Sequence, residues 1–420
     1  MSVNPVDTDT LPPMAAAIPT TVDRYARRAL MASATGYAMD GFDLLILSFM
    51  LPTLIAGLHL SGAQAGSIVT WTLVGAVFGG LSAGALSDRY GRIRVLTWTI
   101  LVFAVFTGLC AFAQGYADLL VYRTIAGIGL GGEFGIGMAL VAEAWPAERR
   151  ARASSYVALG WQAGVFCAAF VTPFLLPLIG WRGMFAVGVL PAVVAFALRR
   201  VLHEPALFVA TARQAQQGPR VSPYRYLFAN ADVTRTTIGI ALMTSIQNFG
   251  YYGTIIWLPT YLSTKLGFTL TRSAMWIAVT VAGGAVGMWI FGQLADRIGR
   301  KPMFIAFQAG AMAMAFIYPK IADPTALLIA GAFTGVFLSG MVGGYGALIS
   351  ESYPTQARAT AQNVLFNVGR GVGGFGPLVI GWLALKYSLP AALSFLVVIW
   401  AVDIVATLFL TKERKGAALT

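Results

Sequence analysis

The sequence predicts an all-α integral membrane protein whose twelve transmembrane helices form two six-helix pseudo-repeats. Three observations carry this expectation. The chain is 57% hydrophobic and only 11% charged, about half the charged fraction of a soluble domain. Apolar runs of about 20 residues recur along its length, each long enough to cross a hydrocarbon core of about 30 Å. Two separate motifs also return at one constant offset, which marks a duplication of half the chain.

Twelve apolar segments follow one another, at 28–52, 63–86, 94–114, 117–141, 153–178, 183–201, 236–262, 273–295, 302–319, 325–349, 359–385 and 388–411. Residues 1–26 are polar and rich in Pro and Thr. They lack the basic-then-apolar pattern of a cleaved signal and read as a disordered cytoplasmic tail. Residues 27–201 form the first six-helix bundle, 202–235 a polar and basic cytoplasmic linker, 236–411 the second bundle, and 412–420 a second tail. With the N-terminus inside, cytoplasmic segments collect 22 of the 29 Lys and Arg, the opposite side holds five, and Arg123 and Arg370 remain within helices. This positive-inside asymmetry predicts that both termini are cytoplasmic. The net charge of +12 follows from that topology, and no basic folded domain is left for nucleic acid. Cys110 and Cys167 both fall in apolar runs and read as small core residues without a disulfide.

"GALSDRYGR" begins at Gly84 and "GQLADRIGR" at Gly292; "EAWPAERRARA" begins at Glu143 and "ESYPTQARATA" at Glu351. Both pairs are 208 residues apart. Parallel repeats of this kind place a substrate site between the halves, near the midplane.

The doubled G-x-L-x-D-R-x-G-R loop resembles the signature of the major facilitator superfamily, itself a standing example of that repeat arrangement. The resemblance covers essentially residues 25–411. "DGFD" in helix 1 and "RTIAGIGLGGEFG" in helix 4 resemble the metabolite:proton symporters, above all the aromatic-acid and the sialate and lactate branches. The resemblance implies import of an organic carboxylate with protons by alternating access across a bacterial inner membrane, by a monomer, with no cofactor and no metal. It also implies a conformational latch at the loop motifs: Gly84, Asp88, Arg89, Gly91, Arg92, Glu143 and Arg150 in one half, and Gly292, Asp296, Arg297, Arg300, Glu351 and Arg358 in the other.

Charges deep in apolar segments are costly and usually face a cavity or a partner. Asp40, Asp43, Glu133, Arg370 and Asp403 are such residues. Asp40 follows Arg28 by twelve residues and Arg370 follows Arg358 by twelve, which puts each about 18 Å deep. Glu133 lies about 22 Å from the other side by the same measure. Asp40 and Asp43 are three apart and share a helix face, so they cannot both ionise cheaply there. At least one of them is the expected proton-coupling group. Glu133 is either a further proton carrier or an ion-pair partner of Arg123 or Arg370. Arg370 presents a fork suited to a substrate carboxylate, unless it stands paired with Asp40, Asp43 or Glu133. Its repeat mate, 208 residues earlier, is Gln162. Asp403 reads as structural. Polar and aromatic residues at matching depth complete the expected substrate site: Trp161, Gln162, Gln247, Asn248, Tyr251, Tyr252, Tyr345, Asn363, Phe366 and Asn367. Three midplane acids against one firm cation give a tally of two protons per monocarboxylate.

An exporter of drugs or metabolites with the same fold is the alternative. Helix 5, "YVALGWQAGVFCAAFVTPF", lacks the Gly-Pro element that such exporters usually carry. A sensor would need a soluble signalling domain larger than the tails and linker provide. An enzyme is disfavoured because the two histidines, His59 and His203, lie in loops on opposite sides.

Overall fold

The computed structural model describes residues 21–200, 202–216, 221–268 and 270–417, and these contain helices and no strand. The expected tail lies largely outside the described residues, but its last part is helical. Helix α1, Arg24–Leu58, starts there because the Asp23 side chain accepts a hydrogen bond from Ala26 N at 2.7 Å and caps the first turn. Helix α2, Gly62–Tyr90, opens on a reciprocal Ser61–Gln64 capping box. Helix α3 spans Arg92–Cys110, and α4 runs Tyr116–Leu130 and on through Glu133–Ala144. Helices α5 and α6 are the two arms, 150–179 and 181–200, of one run that reverses at Gly180 (φ 65°, ψ 178°), a conformation open to glycine.

The second half repeats this plan. Helix α7 is Ala231–Ile255 continued by Leu258–Leu266; α8 is Leu270–Ile298; α9 is Arg300–Ile317. Helix α10 is Pro324–Gly340 then Val342–Ser350; α11 is Arg358–Gly373 then Gly376–Lys386; α12 is Leu389–Ser394 then Leu396–Leu410. Ten helical runs among the described residues are long and apolar enough to cross a membrane. One of the ten holds both α5 and α6, and α7 is not among them. Helix α7 falls short because it carries Gln247, Asn248 and several Thr and Tyr residues, the composition of a cavity wall.

The stretch expected to be a plain linker is partly folded. It contains a helix, Ala206–Gln216, and a 3-10 turn, Pro223–Phe228, and α7 begins at Ala231 rather than at 236. Its Glu204 carboxylate accepts from the backbone N–H of Arg92 (2.7 Å), Ile93 (3.0 Å) and Arg94 (3.1 Å), capping α3. After α12, Glu413 does the same for α9, from Arg300 N at 3.0 Å and Lys301 N at 2.9 Å. An anion at these helix starts meets the unpaired N–H groups and the positive end of the dipole. The chain reaches each cap through a glycine with positive φ, Gly91 (113°) and Gly299 (125°). A Cβ on either would meet the capping carboxylate.

The halves pack α2 against α11, and α5 against α8 and α10. Gly84 and Gly292 permit this: a Cβ on Gly84 would stand 3.0 Å from the Ala359 carbonyl oxygen, and one on Gly292 would stand 3.0 Å from that of Ala151. The Gly84 and Gly292 contacts lie at the end of the bundle that carries the charged loops.

Gly91→Ala adds both an unfavourable backbone conformation and a clash with Glu204, together costing about 1–3 kcal/mol. Its thermal midpoint in detergent should fall by several degrees. Gly66→Ala, where a Cβ meets nothing within 4 Å, should unfold no earlier than the parent; equal midpoints for the two variants would contradict this account.

Candidate substrate and proton site

Midway along the bundle a cavity opens between the halves. The first half contributes Tyr37 on α1 and Trp161 and Gln162 on α5. The second contributes Gln247, Asn248, Tyr251 and Tyr252 on α7, Met288 on α8, Ser339 and Val342 on α10, and Phe366 and Arg370 on α11. Its open space is about 50 Å³. Phe134 and Phe366 stack across the halves with centroids 3.7 Å apart, and Tyr37 lies against both Phe134 (4.9 Å) and Trp161 (5.3 Å). The Arg370 guanidinium sits 5.5 Å above the Trp161 ring and 6.0 Å above Phe366. A wider concavity beside Asp232 and Lys412 has solvent-exposed side chains, and an apolar groove along Trp257, Leu378 and Leu385 holds no charge.

The buried charges fall into separate pairs. Arg370 Nη1 lies 3.6 Å from Asp40 Oδ2, across the halves, with side-chain exposures of 10% and 2%. Tyr252 stands beside the same guanidinium. Asp43 looks elsewhere, to α4: Arg123 donates from Nη1 to Asp43 Oδ1 at 2.9 Å and from Nη2 to Oδ2, a bidentate fork fully buried inside the first half. Glu133 accepts from Thr99 Oγ1 at 3.0 Å on the α3 side. Asp40 and Asp43 therefore have different partners, and a second firm cation, Arg123, joins the midplane charges.

At the charged end the two loop motifs build matching networks. Asp88 accepts from Arg92 Nη1 (2.7 Å) and, across the halves, from Ala359 N (3.2 Å), Thr360 N (2.8 Å) and Thr360 Oγ1 (2.6 Å). Asp296 accepts from Arg300 Nη1 and, across the halves, from Ala151 N and Arg152 N, each at 3.1 Å. Glu143 pairs with Arg92 and with Arg358 of the other half, both at 2.9 Å. Its mate Glu351 pairs with Arg300 at 2.7 Å, but Arg150 stands 3.8 Å away and donates instead to the Ala417 carbonyl at 2.7 Å. Burial holds the Glu351 carboxyl above its ordinary range, against the opposing pull of Arg300. Arg89 and Arg297 are exposed at this face and lie outside these networks, Arg89 over the Tyr90 ring at 5.2 Å.

Residues 33–324 and 282–419 match the Major Facilitator Superfamily. The chain belongs to that superfamily. A Haemophilus influenzae protein named for metabolite transport is 61% identical over 402 residues, covering 95% of this chain and 99% of its own. A Cupriavidus pinatubonensis protein named for 4-methylmuconolactone transport is 32% identical, covering 94% and 92%. The cis,cis-muconate transport protein of Acinetobacter baylyi is 31% identical, covering 82% and 84%. The solved proton:xylose symporter XylE superposes with a TM-score of 0.79 at 19% identity, covering 95% and 98%, which shows the shared fold. The chain is thus a multi-pass membrane transporter of metabolites and not an enzyme.

Within this transporter most of the expected site residues converge. Three do not. Tyr345 is fully buried inside the second half, its hydroxyl donating to the Met243 carbonyl at 2.9 Å, because it packs toward Phe304 rather than toward the partner half. Asn363 and Asn367 fill the space left by Gly135 and Gly80 on the opposing half, so they seal the interface and do not line the cavity. Tyr37, Met288, Ser339 and Val342 line it without having been singled out; Tyr37, three residues before Asp40, was the one visible from helical spacing. Asp403 is fully buried on α12 beside Gln308, away from the cavity.

Breaking a buried pair by removing one partner costs about 3–5 kcal/mol, because the other charge stays behind. Arg123→Leu should therefore yield little monodisperse protein on size exclusion, and Arg123→Leu with Asp43→Asn should recover a large part of it. A double variant no better than the single one would show that the pair is not what Arg123 supplies.

Proposed function

We propose that this transporter imports an organic carboxylate together with one proton across a bacterial inner membrane, working as a monomer with both termini in the cytoplasm. The observation that carries the reading is Arg370, whose guanidinium lines the central cavity and stands 3.6 Å from Asp40 of the other half. That separation is an ion pair too long for a hydrogen bond, so a substrate carboxylate with bidentate geometry can displace Asp40. A carboxylate left in a dry interior without its cation is neutralised by taking up a proton. Substrate and proton then load together, and neither half carries an unpaired charge through the transition. The acid-transport name of the muconate relative supports the substrate class, and the aromatic walls suit a flat or conjugated acid.

Because Arg123 balances Asp43, the tally of two protons drawn from a single cation no longer holds. Only Asp40 changes partner when substrate binds, which favours one proton per monocarboxylate and no net charge movement. The networks around Asp88 and Asp296 serve as the latch: each carboxylate bonds backbone N–H groups of the opposite half, and these bonds must break for the charged end to open.

Arg370→Lys keeps the charge but loses the fork, and uptake of labelled acids into proteoliposomes should drop by about tenfold or more; wild-type uptake would remove Arg370 from the site. Asp40→Asn should still exchange substrate but no longer accumulate it when the outside is acidified, and Asp43→Asn should instead be impaired in folding. Accumulation by Asp40→Asn would move the coupling elsewhere. Substrate should evoke no current on supported membranes at equal pH, whereas an inward current would restore the two-proton count. Asp88→Asn should speed labelling of a Ser155→Cys reporter, which is buried between the halves, from the charged side; an unchanged rate would leave the network as a topological anchor.

A further inference from the structure

The cavity contains an acceptor with nothing to accept. Gln247 lines it and is 2% exposed. Its Nε2 donates to the Leu338 carbonyl at 3.0 Å. That carbonyl lies in the last turn of Pro324–Gly340, where α10 breaks at Met341 and the final carbonyls lack helical partners. The bond fixes which way the amide faces, since a flipped amide would set two oxygens against each other. Gln247 Oε1 is then left buried without a partner. A buried acceptor in that state is costly, and in a binding cavity it is a demand for a donor from the substrate. The neighbouring amide nitrogens are engaged in the same way: Asn248 Nδ2 donates to Thr244 O at 2.8 Å and Gln162 Nε2 to Val281 O at 3.3 Å.

We infer that Gln247 selects acids bearing a hydroxyl or N–H group at the end remote from the carboxylate, a reading that rests on Arg370 holding the carboxylate itself. The spacing agrees. Tyr252, beside Arg370, follows Gln247 by five residues on α7, about 7.5 Å along the helix axis. Arg370 and Gln247 both line the cavity, and that rise matches the length of a ring or short chain held between them. A site built around a hydrogen bond to substrate rejects the analogue that lacks the group far more strongly than a site built on apolar contact. Gln247 would then be a specificity-determining residue that leaves coupling untouched.

The test is equilibrium binding to the purified full chain with two matched pairs of probes, 4-hydroxybenzoate against benzoate and 4-hydroxybenzamide against benzamide. In the wild type the hydroxylated member of the acid pair should bind about tenfold or more tightly than its partner. In Gln247→Leu that ratio should fall toward one. Arg370→Lys should weaken both acids alike and keep the ratio. Equal binding within the pairs by wild-type protein, a ratio that survives Gln247→Leu, or failure of both pairs to bind would each overturn the assignment, and the first and last need no variant to fold. A hydroxyl preference seen only in the amide pair, and lost in Gln247→Leu, would sustain Gln247 while removing the carboxylate reading of Arg370.

Discussion

Every charge in the middle of this protein must be matched, because a membrane interior offers no water to share it. The first half solves the problem internally, with Arg123 forked onto Asp43. The contact between the halves solves it by sharing, with Arg370 of one facing Asp40 of the other. A pair inside one rigid body can be tight and permanent. A pair between two bodies that must move apart cannot be, and the longer separation of the second pair fits that requirement. The cavity is arranged around this shared pair: aromatic rings below and beside the guanidinium, amides along α7 and α5, and a stacked Phe134–Phe366 contact closing the side toward the charged end.

Duplication supplied the frame, and departures from it supplied the chemistry. Asp88 and Asp296, Arg92 and Arg300, Glu143 and Glu351 repeat at 208 residues and make matching bonds at matching places. Near the midplane the repeat is broken, since Gln162 of one half answers Arg370 of the other. A cation in both halves would leave the cavity with charge to neutralise twice. One cation and one amide leave room for a single anion. A smaller asymmetry lies at the charged end, where Arg358 reaches Glu143 at 2.9 Å while Arg150 turns to the chain after α12. The backbone there is drawn in by Glu413, whose carboxylate caps α9.

Much of this was legible in the sequence. The apolar runs, the repeat offset and the misplaced charges together define the helices, the halves and the residues at the midplane, because the cost of polar groups in lipid leaves few alternatives. Eight of the residues expected at the cavity line it, from Trp161 to Arg370. Tyr345 and the asparagines of α11 were not separable from them by depth alone. Depth along a helix follows from residue count, but the direction a side chain faces depends on how the helix is rotated against its neighbours. The folding of the linker was equally hidden, since Glu204 matters only once it is brought to the start of α3, more than a hundred residues earlier in the chain.

The sequence by itself determined that Asp40, Asp43, Glu133 and Arg370 lie deep in apolar segments and must be satisfied there, and that Arg123 lies within a helix. Only the tertiary structure decided who satisfies whom. Residues three apart on a helix share a face, yet their side chains diverge by about 60°. On α1, which borders both its own half and the central cavity, that angle is enough to turn Asp43 inward to Arg123 and to leave Asp40 facing Arg370.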